Sequence, residues 1–185
     1  MKFLFITKRR LLKITFYAII NILLMTGLFS FIKKGTGIEP VKNFEQKKYL
    51  GLWYEIARLD YKWERGLNNV TANYSLRKDG KIKVDNKGFD RKKNKWKQST
   101  GKAKPASKLT VGKLKVSFFG PFYADYNIVA LDPDYQYALV LGKNSHYMWI
   151  LSRTKFIPEI IKTEYLEKAR KLGVKIDELV WVEHD

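Results

Sequence analysis

Short runs of alternating apolar and polar residues, each broken by turn chemistry, constrain this chain more than any other feature. Val70, Ala72, Tyr74 and Leu76 fall on one side of a two-residue period, and Thr71, Asn73 and Ser75 on the other. That period marks a strand with one buried face. Asp79-Gly80 follows as a hairpin turn, and Ile82 and Val84 resume the pattern. Trp96 to Ala103 reads as the next strand. Leu114, Val116 and Phe118 then alternate with Lys113, Lys115 and Ser117. Asp132-Pro133-Asp134 closes the apolar run Tyr126 to Leu131, and Gly142 to Ser145 separates Tyr135–Leu141 from Tyr147–Arg153. With the strand that starts at Trp53, about eight strands recur at regular spacing. The expectation is an all-β, eight-stranded up-and-down antiparallel barrel. An interior of that size holds one small ligand.

Pro158 opens a helix whose Ile161, Tyr165, Leu166, Ala169 and Leu172 share one face, with Gly173 at the C-cap position. This C-terminal helix is expected to pack on the barrel wall. Leu179 to Val182 reads as a short edge strand. Ahead of the barrel, Ile14 to Ile32 is almost wholly apolar, with Asn21 its one strongly polar side chain. A helix of that length spans roughly 29 Å, near the thickness of a bilayer's hydrocarbon core. Five basic residues precede it, so the positive-inside rule sends everything after Lys34 across the membrane. Residues 1–35 thus read as a signal or membrane-anchor segment, an uncleaved anchor in the inner membrane being favoured. Residues 36–42 read as a tether and 43–185 as the barrel domain.

The formal charge is +18, and residues 1–40 carry seven basic side chains against Glu39 alone. A globular part this basic suits anionic lipid headgroups or nucleic acid. No basic stripe is interleaved with base-stacking aromatics, so nucleic acid is not an expected partner. The chain has no cysteine, which excludes disulfides, thiolate metal sites, cysteine nucleophiles and a lipid-modified cysteine. His146 and His184 are its two histidines, and neither has carboxylates at triad or metal-site spacing. No catalytic residue, metal site or cofactor is therefore expected. A ligand-free structural scaffold, or one for haem or another hydrophobic ligand, stands as the alternative to a carrier.

Three separated stretches narrow the fold further. Phe44, Tyr49, Gly51, Trp53 and Tyr54 form the first, Asp125-Tyr126 the second, and Leu151-Ser152-Arg153 the third. Together they resemble the lipocalin signature. Longer strings, among them Trp53 to Leu59, Glu64 to Leu67, Leu114 to Tyr123 and Trp149 to Thr154, resemble the bacterial lipocalin subgroup called Blc. The resemblance covers Val41 to Glu183. It implies a lipocalin barrel with Gly51, Trp53, Asp125, Tyr126 and Arg153 as structural motif residues at the closed end. Arg153 would lie over the Trp53 ring as a cation–π lid. It also implies an outer-membrane, periplasm-facing protein that stores or moves lysophospholipid or fatty acid for membrane maintenance under stress, with a homodimer among its assemblies.

Parity then picks out the ligand contacts. If Arg153 points toward Trp53, then Leu151, Trp149 and Tyr147 point inward as well, because strand side chains repeat every two residues. The same reasoning turns Ala72, Tyr74, Val116, Phe118, Tyr126 and Ile128 inward. This lining is apolar and aromatic with a few hydroxyls, which suits an acyl chain. Trp149 is the foremost expected contact.

Overall fold

The computed structural model describes residues 37–185. The expected signal or anchor segment, 1–35, lies outside the described residues. Among the described residues no helix is long and apolar enough to cross a membrane.

Eight antiparallel strands close into a barrel: β1 (Gly51–Leu59), β2 (Leu67–Leu76), β3 (Ile82–Asp90), β4 (Lys95–Pro105), β5 (Lys113–Phe119), β6 (Phe122–Leu131), β7 (Tyr137–Leu141) and β8 (Met148–Ser152). Each pairs with its neighbour in sequence, and β1 closes the ring by pairing with both β8 and β2. One turn of helix, α1 (Gln46–Tyr49), precedes β1. Helix α2 (Glu159–Lys171) follows β8, and β9 (Leu179–Trp181) ends the fold.

The expected turns form for the expected reasons. Gly80 adopts φ +76°, and the Arg77 amide closes the hairpin on the Lys81 carbonyl at 2.8 Å. Gly173 takes φ +80° at the end of α2, where the Val174 amide bonds back to the Ala169 carbonyl at 3.0 Å. Pro158 caps the other end of α2, one position before the first helical residue. The helix buries Tyr165 and Ala169 against Ile56, Leu139 and Ile150 on the outside of the barrel, as its apolar stripe predicts. β7 is shorter than expected: Tyr135 sits in the preceding turn at φ +59°, with its ring buried.

Two departures from a plain ring matter for the interior. A bulge between Glu55 and Ala57 shifts the β1–β8 register by one. Ile56 and Ala57 both face the outer layer, while Trp53, Glu55 and Arg58 are buried on the other side. β2 also leaves β1 after the Tyr54–Thr71 pair, and β9 takes over that edge from Ala57 to Leu59. The C-terminal tail continues the join. The Val182 amide bonds the Ile56 carbonyl at 2.9 Å, the Asn69 amide bonds the Glu183 carbonyl at 2.9 Å, and the His184 ring meets the Glu55 carbonyl at 2.8 Å.

The end of the expected tether is tied to the barrel. The Val41 amide donates to the Ile128 carbonyl at 2.8 Å, and the Val41 carbonyl accepts from Gly112 at 2.9 Å.

Candidate functional site

Because the strands alternate in direction, the loops fall into two sets. Residues 43–50, 77–81, 106–112, 132–136 and 153–157 gather at one end. Residues 60–66, 91–94, 120–121 and 142–147 gather at the other. The first end is sealed. The Trp53 side chain is wholly buried and its indole N–H donates to the Tyr49 carbonyl at 2.9 Å. The Arg153 guanidinium lies 3.8 Å from the centre of the Trp53 ring. It donates to the carbonyls of Leu52 (2.7 Å), Lys48 (2.9 Å), Leu50 (2.9 Å) and Tyr135 (3.1 Å). Gly51, at φ +97°, lets the chain turn directly beneath it. One side chain thus ties three carbonyls at the entry to β1 to one in the β6–β7 turn.

Above the plug, three tyrosines meet. The Tyr126 hydroxyl lies 2.7 Å from that of Tyr49 and 3.0 Å from that of Tyr74. Burial pushes the Tyr74 hydroxyl up to about 12 and raises Tyr49 and Tyr126 well above the usual phenol value. All three stay protonated and form a neutral polar floor.

Ile82, Val84, Ala103, Leu114, Ile128, Val140 and Leu151 are buried around this floor. Ala72, Val116, Phe118, Tyr126 and Trp149 pack on the same cluster yet keep part of their surface accessible to solvent. The barrel is sealed at the plug, and toward the second end Val116, Phe118 and Trp149 keep part of their surface accessible.

A polar group of four side chains stands toward the second end. Arg58 donates to Glu55 Oε1 at 2.7 Å, and both are buried. It also donates to the carbonyls of Glu64 at 2.8 Å and Leu67 at 3.2 Å. Its Nε has no hydrogen-bond partner among the described residues. The Glu64 carboxylate accepts from the Trp149 indole at 3.1 Å. Burial, then the nearby Glu64 charge, push Glu55 up to about 8 against the pull of Arg58. Burial raises Glu64 as well. One guanidinium faces two carboxyls, so the Glu55–Glu64 pair holds a proton near neutral pH. Asn86 Oδ1, on β3, is a further buried acceptor without a partner among the described residues.

The β1–β2 loop that carries Glu64 crosses the opening. Trp63 packs on Phe119 of β5 with ring centres 5.7 Å apart. In strand order β1–β2 and β5–β6 stand opposite each other around the ring. The loop is held at its base by Arg58 and Trp149 and at its far tip by Phe119.

Of the expected ligand contacts, Trp149, Leu151, Ala72, Tyr74, Val116, Phe118, Tyr126 and Ile128 all belong to the interior cluster. Tyr147 does not. β8 begins at Met148, and Tyr147 stacks edge-on against Tyr61 at 5.6 Å in the loop end. Strand parity ceases to apply once the strand has ended. Gly51, Trp53 and Arg153 stand together at the plug, and Tyr126 reaches it through its hydroxyl. Asp125 instead lies within β6 and pairs with Lys115 of β5 at 2.8 Å on the outer face. Glu55, Arg58, Glu64 and Asn86 are interior polar groups that the sequence reading did not single out.

This is a barrel with a plugged end, an aromatic floor and a strapped opening, and residues 44–184 match the family model described as the lipocalin-like domain. The chain belongs to that family. Among its relatives is the outer membrane lipoprotein Blc of Escherichia coli K12, 50% identical over 147 residues that cover 80% of this chain and 83% of that protein. The protein of the same name from Vibrio cholerae is 46% identical, covering 79% and 86%. Temperature-induced lipocalin-1 of Arabidopsis thaliana is 34% identical, covering 77% and 80%. Among solved structures, insecticyanin from the tobacco hornworm Manduca sexta shares the fold with a TM-score of 0.66 at 21% identity, covering 80% of this chain and 85% of that one.

Proposed function

We propose that this chain is a membrane-associated lipid carrier, not a catalyst, and that a lysophospholipid or fatty acid lies lengthwise in the barrel. The observation that carries the reading is the inner face formed by Ala72, Val116, Phe118, Tyr126 and Trp149, which is apolar yet keeps part of its surface accessible. Apolar surface left accessible inside a barrel wall favours hydrocarbon over water. Each buried methylene contributes about 0.8 kcal/mol, so a long acyl chain reaches micromolar affinity after ordering costs. The tyrosine floor sets the depth of the chain's end. Arg58, Glu64 and Asn86 offer donors and acceptors to a polar head nearer the opening.

The relatives named outer membrane lipoproteins support a membrane setting. Residues 1–35 would supply the attachment here, since the chain has no cysteine to carry a lipid.

Titration with lysophospholipid, followed by tryptophan fluorescence, tests the reading. Saturable quenching is expected, and Trp149→Ala should weaken binding several-fold. A flat titration in the wild-type protein would sink it.

A further inference from the structure

Charge is spread unevenly around the ring. Residues 81–131, which carry β3 to β6, hold thirteen basic side chains and three acidic ones. The other described residues hold sixteen and fifteen. These four strands are neighbours in the sheet and form one wall, while α2 packs outside β1, β7 and β8 across the ring. We propose that the β3–β6 wall is a docking face for a bilayer of anionic phospholipid, on which the barrel lies on its side.

Ile82, Val84, Ala103, Leu114 and Val116 belong to the interior cluster, so strand parity turns Lys83, Lys87, Lys102, Lys104, Lys113 and Lys115 outward. Asp85 and Asp125 share that surface and pair with Lys83 and Lys115, each at 2.8 Å. The other four lysines have no carboxylate partner among the described residues. Like charges also stand directly opposite one another. Lys83 is in register with Lys102, and Lys104 with Lys115. Such pairs weaken a sheet, so folding does not account for them. A layer of phosphates neutralises both members, and ammonium groups on long stems meet phosphates without a fixed geometry. Trp96, 51% exposed, and Tyr123 stand on the same face, and rings of this kind favour the headgroup level of a bilayer. Both are already covered by lysine: Lys87 lies 4.2 Å from the centre of the Trp96 ring and Lys104 4.7 Å from that of Tyr123. Nucleic-acid bases therefore find no open stacking platform here. A second copy offers either the same wall, which repels, or its remaining surface, whose charges nearly cancel. Docking through the wall leaves both ends of the barrel uncovered and does not depend on what the barrel holds.

Because the chain has no cysteine, one label can be placed at will. Gln98→Cys puts a fluorophore on the outer face of β4, and Thr163→Cys puts one on the exposed side of α2. Both full-length proteins are reconstituted in vesicles of phosphatidylcholine, with or without phosphatidylglycerol, that carry a headgroup-bound quencher. Residues 1–35 are common to the two proteins, so any tethering they provide cancels in the comparison. Quenching is expected at position 98 and not at 163, only with phosphatidylglycerol, and high salt should reverse it. Lys102→Gln combined with Lys104→Gln should lower the ratio of docked to free barrel about five-fold for each lysine. The urea midpoint of that variant should hold or rise, because two opposed pairs are relieved. A loss of docking that comes only with a lower midpoint would make these lysines structural and count against the face. Equal quenching at the two positions, quenching that ignores lipid charge, or a double variant that docks as well as the wild type would overturn the proposal. So would a change at position 98 produced equally by a DNA duplex at matched phosphate, or by raising protein concentration in neutral detergent. Those two outcomes would assign the wall to nucleic acid or to self-association. Lysophospholipid quenching of the unlabelled protein reports barrel loading separately, so normal loading without docking counts against this wall alone.

Discussion

Arg153 shows how much one side chain contributes at the sealed end. Its guanidinium donates to four backbone carbonyls and covers the Trp53 ring. A lysine keeps the charge but not the planar fork that reaches several acceptors at once. Arg153→Lys should therefore cost about 3 kcal/mol, from hydrogen bonds to a charged donor and a lost cation–π contact. The urea midpoint would fall with little change in slope. A midpoint equal to wild type would show that water replaces the guanidinium without loss. A second residue-scale effect concerns protons. Glu55 is raised to about 8 by burial, then by Glu64, so the folded barrel holds a proton that the unfolded chain has already released. The folded state binds more protons between the ordinary carboxyl range and about 8, and stability falls as pH climbs through that window. Glu64→Gln keeps an oxygen for the Trp149 indole and removes one of the two competing charges. Its melting temperature should vary less between pH 5 and about 8 than that of the wild type. Equal pH slopes in the two proteins would refute the shared-proton account.

At the level of single elements, β1 explains both what the sequence revealed and what it concealed. Alternation marks the strands, and it turns Ala72, Tyr74, Val116 and Trp149 inward because these positions lie in regularly paired stretches, past the β2 irregularity at Asn68–Thr71 and up to the β5 one at Val116–Phe119. β1 carries one extra residue between Glu55 and Ala57. Strict parity puts Glu55 and Arg58 on opposite faces; the bulge puts both inside, 2.7 Å apart. Hydrophobic pattern carries no signal for a bulge, so the ionic core was not legible, although both residues lie in the strings that resemble Blc. Tyr147 lies outside the parity rule for a related reason: β8 begins at Met148, and the two-residue period does not reach it. Glu64 sits in a loop, where no period applies. Its bond to Trp149 fastens the β1–β2 loop to the barrel. Trp149→Phe keeps an aromatic ring, though a smaller one, and removes the donor, leaving a half-buried carboxylate without its partner. Hydrogen exchange across residues 60–66 should quicken, while β3 and β4 keep wild-type protection. Uniform protection in the variant would mean that Phe119 and Arg58 hold the loop unaided.

The whole molecule is a ring in which each strand pairs with its sequence neighbour, closed by β1 and reinforced by the C-terminal tail. Its functional question is whether the centre is filled by protein or by ligand, and a volume change answers it. Val116 lines the inner face and remains partly accessible. If the space beside it is unfilled, Val116→Phe inserts its added atoms there and leaves folding intact. If the centre is solid, the same change overpacks it at a cost of about 1–3 kcal/mol. Ligand linkage supplies the second readout. Lysophospholipid at a hundredfold excess over its dissociation constant should stabilise the wild type by about 2.7 kcal/mol. For a domain of this size that corresponds to a rise of roughly 5–10 °C in melting temperature. The variant should melt near the wild type without lipid and lose most of the rise with it, because phenylalanine then occupies the acyl chain's place. A variant that melts lower yet keeps the full lipid shift would place the ligand elsewhere on the molecule.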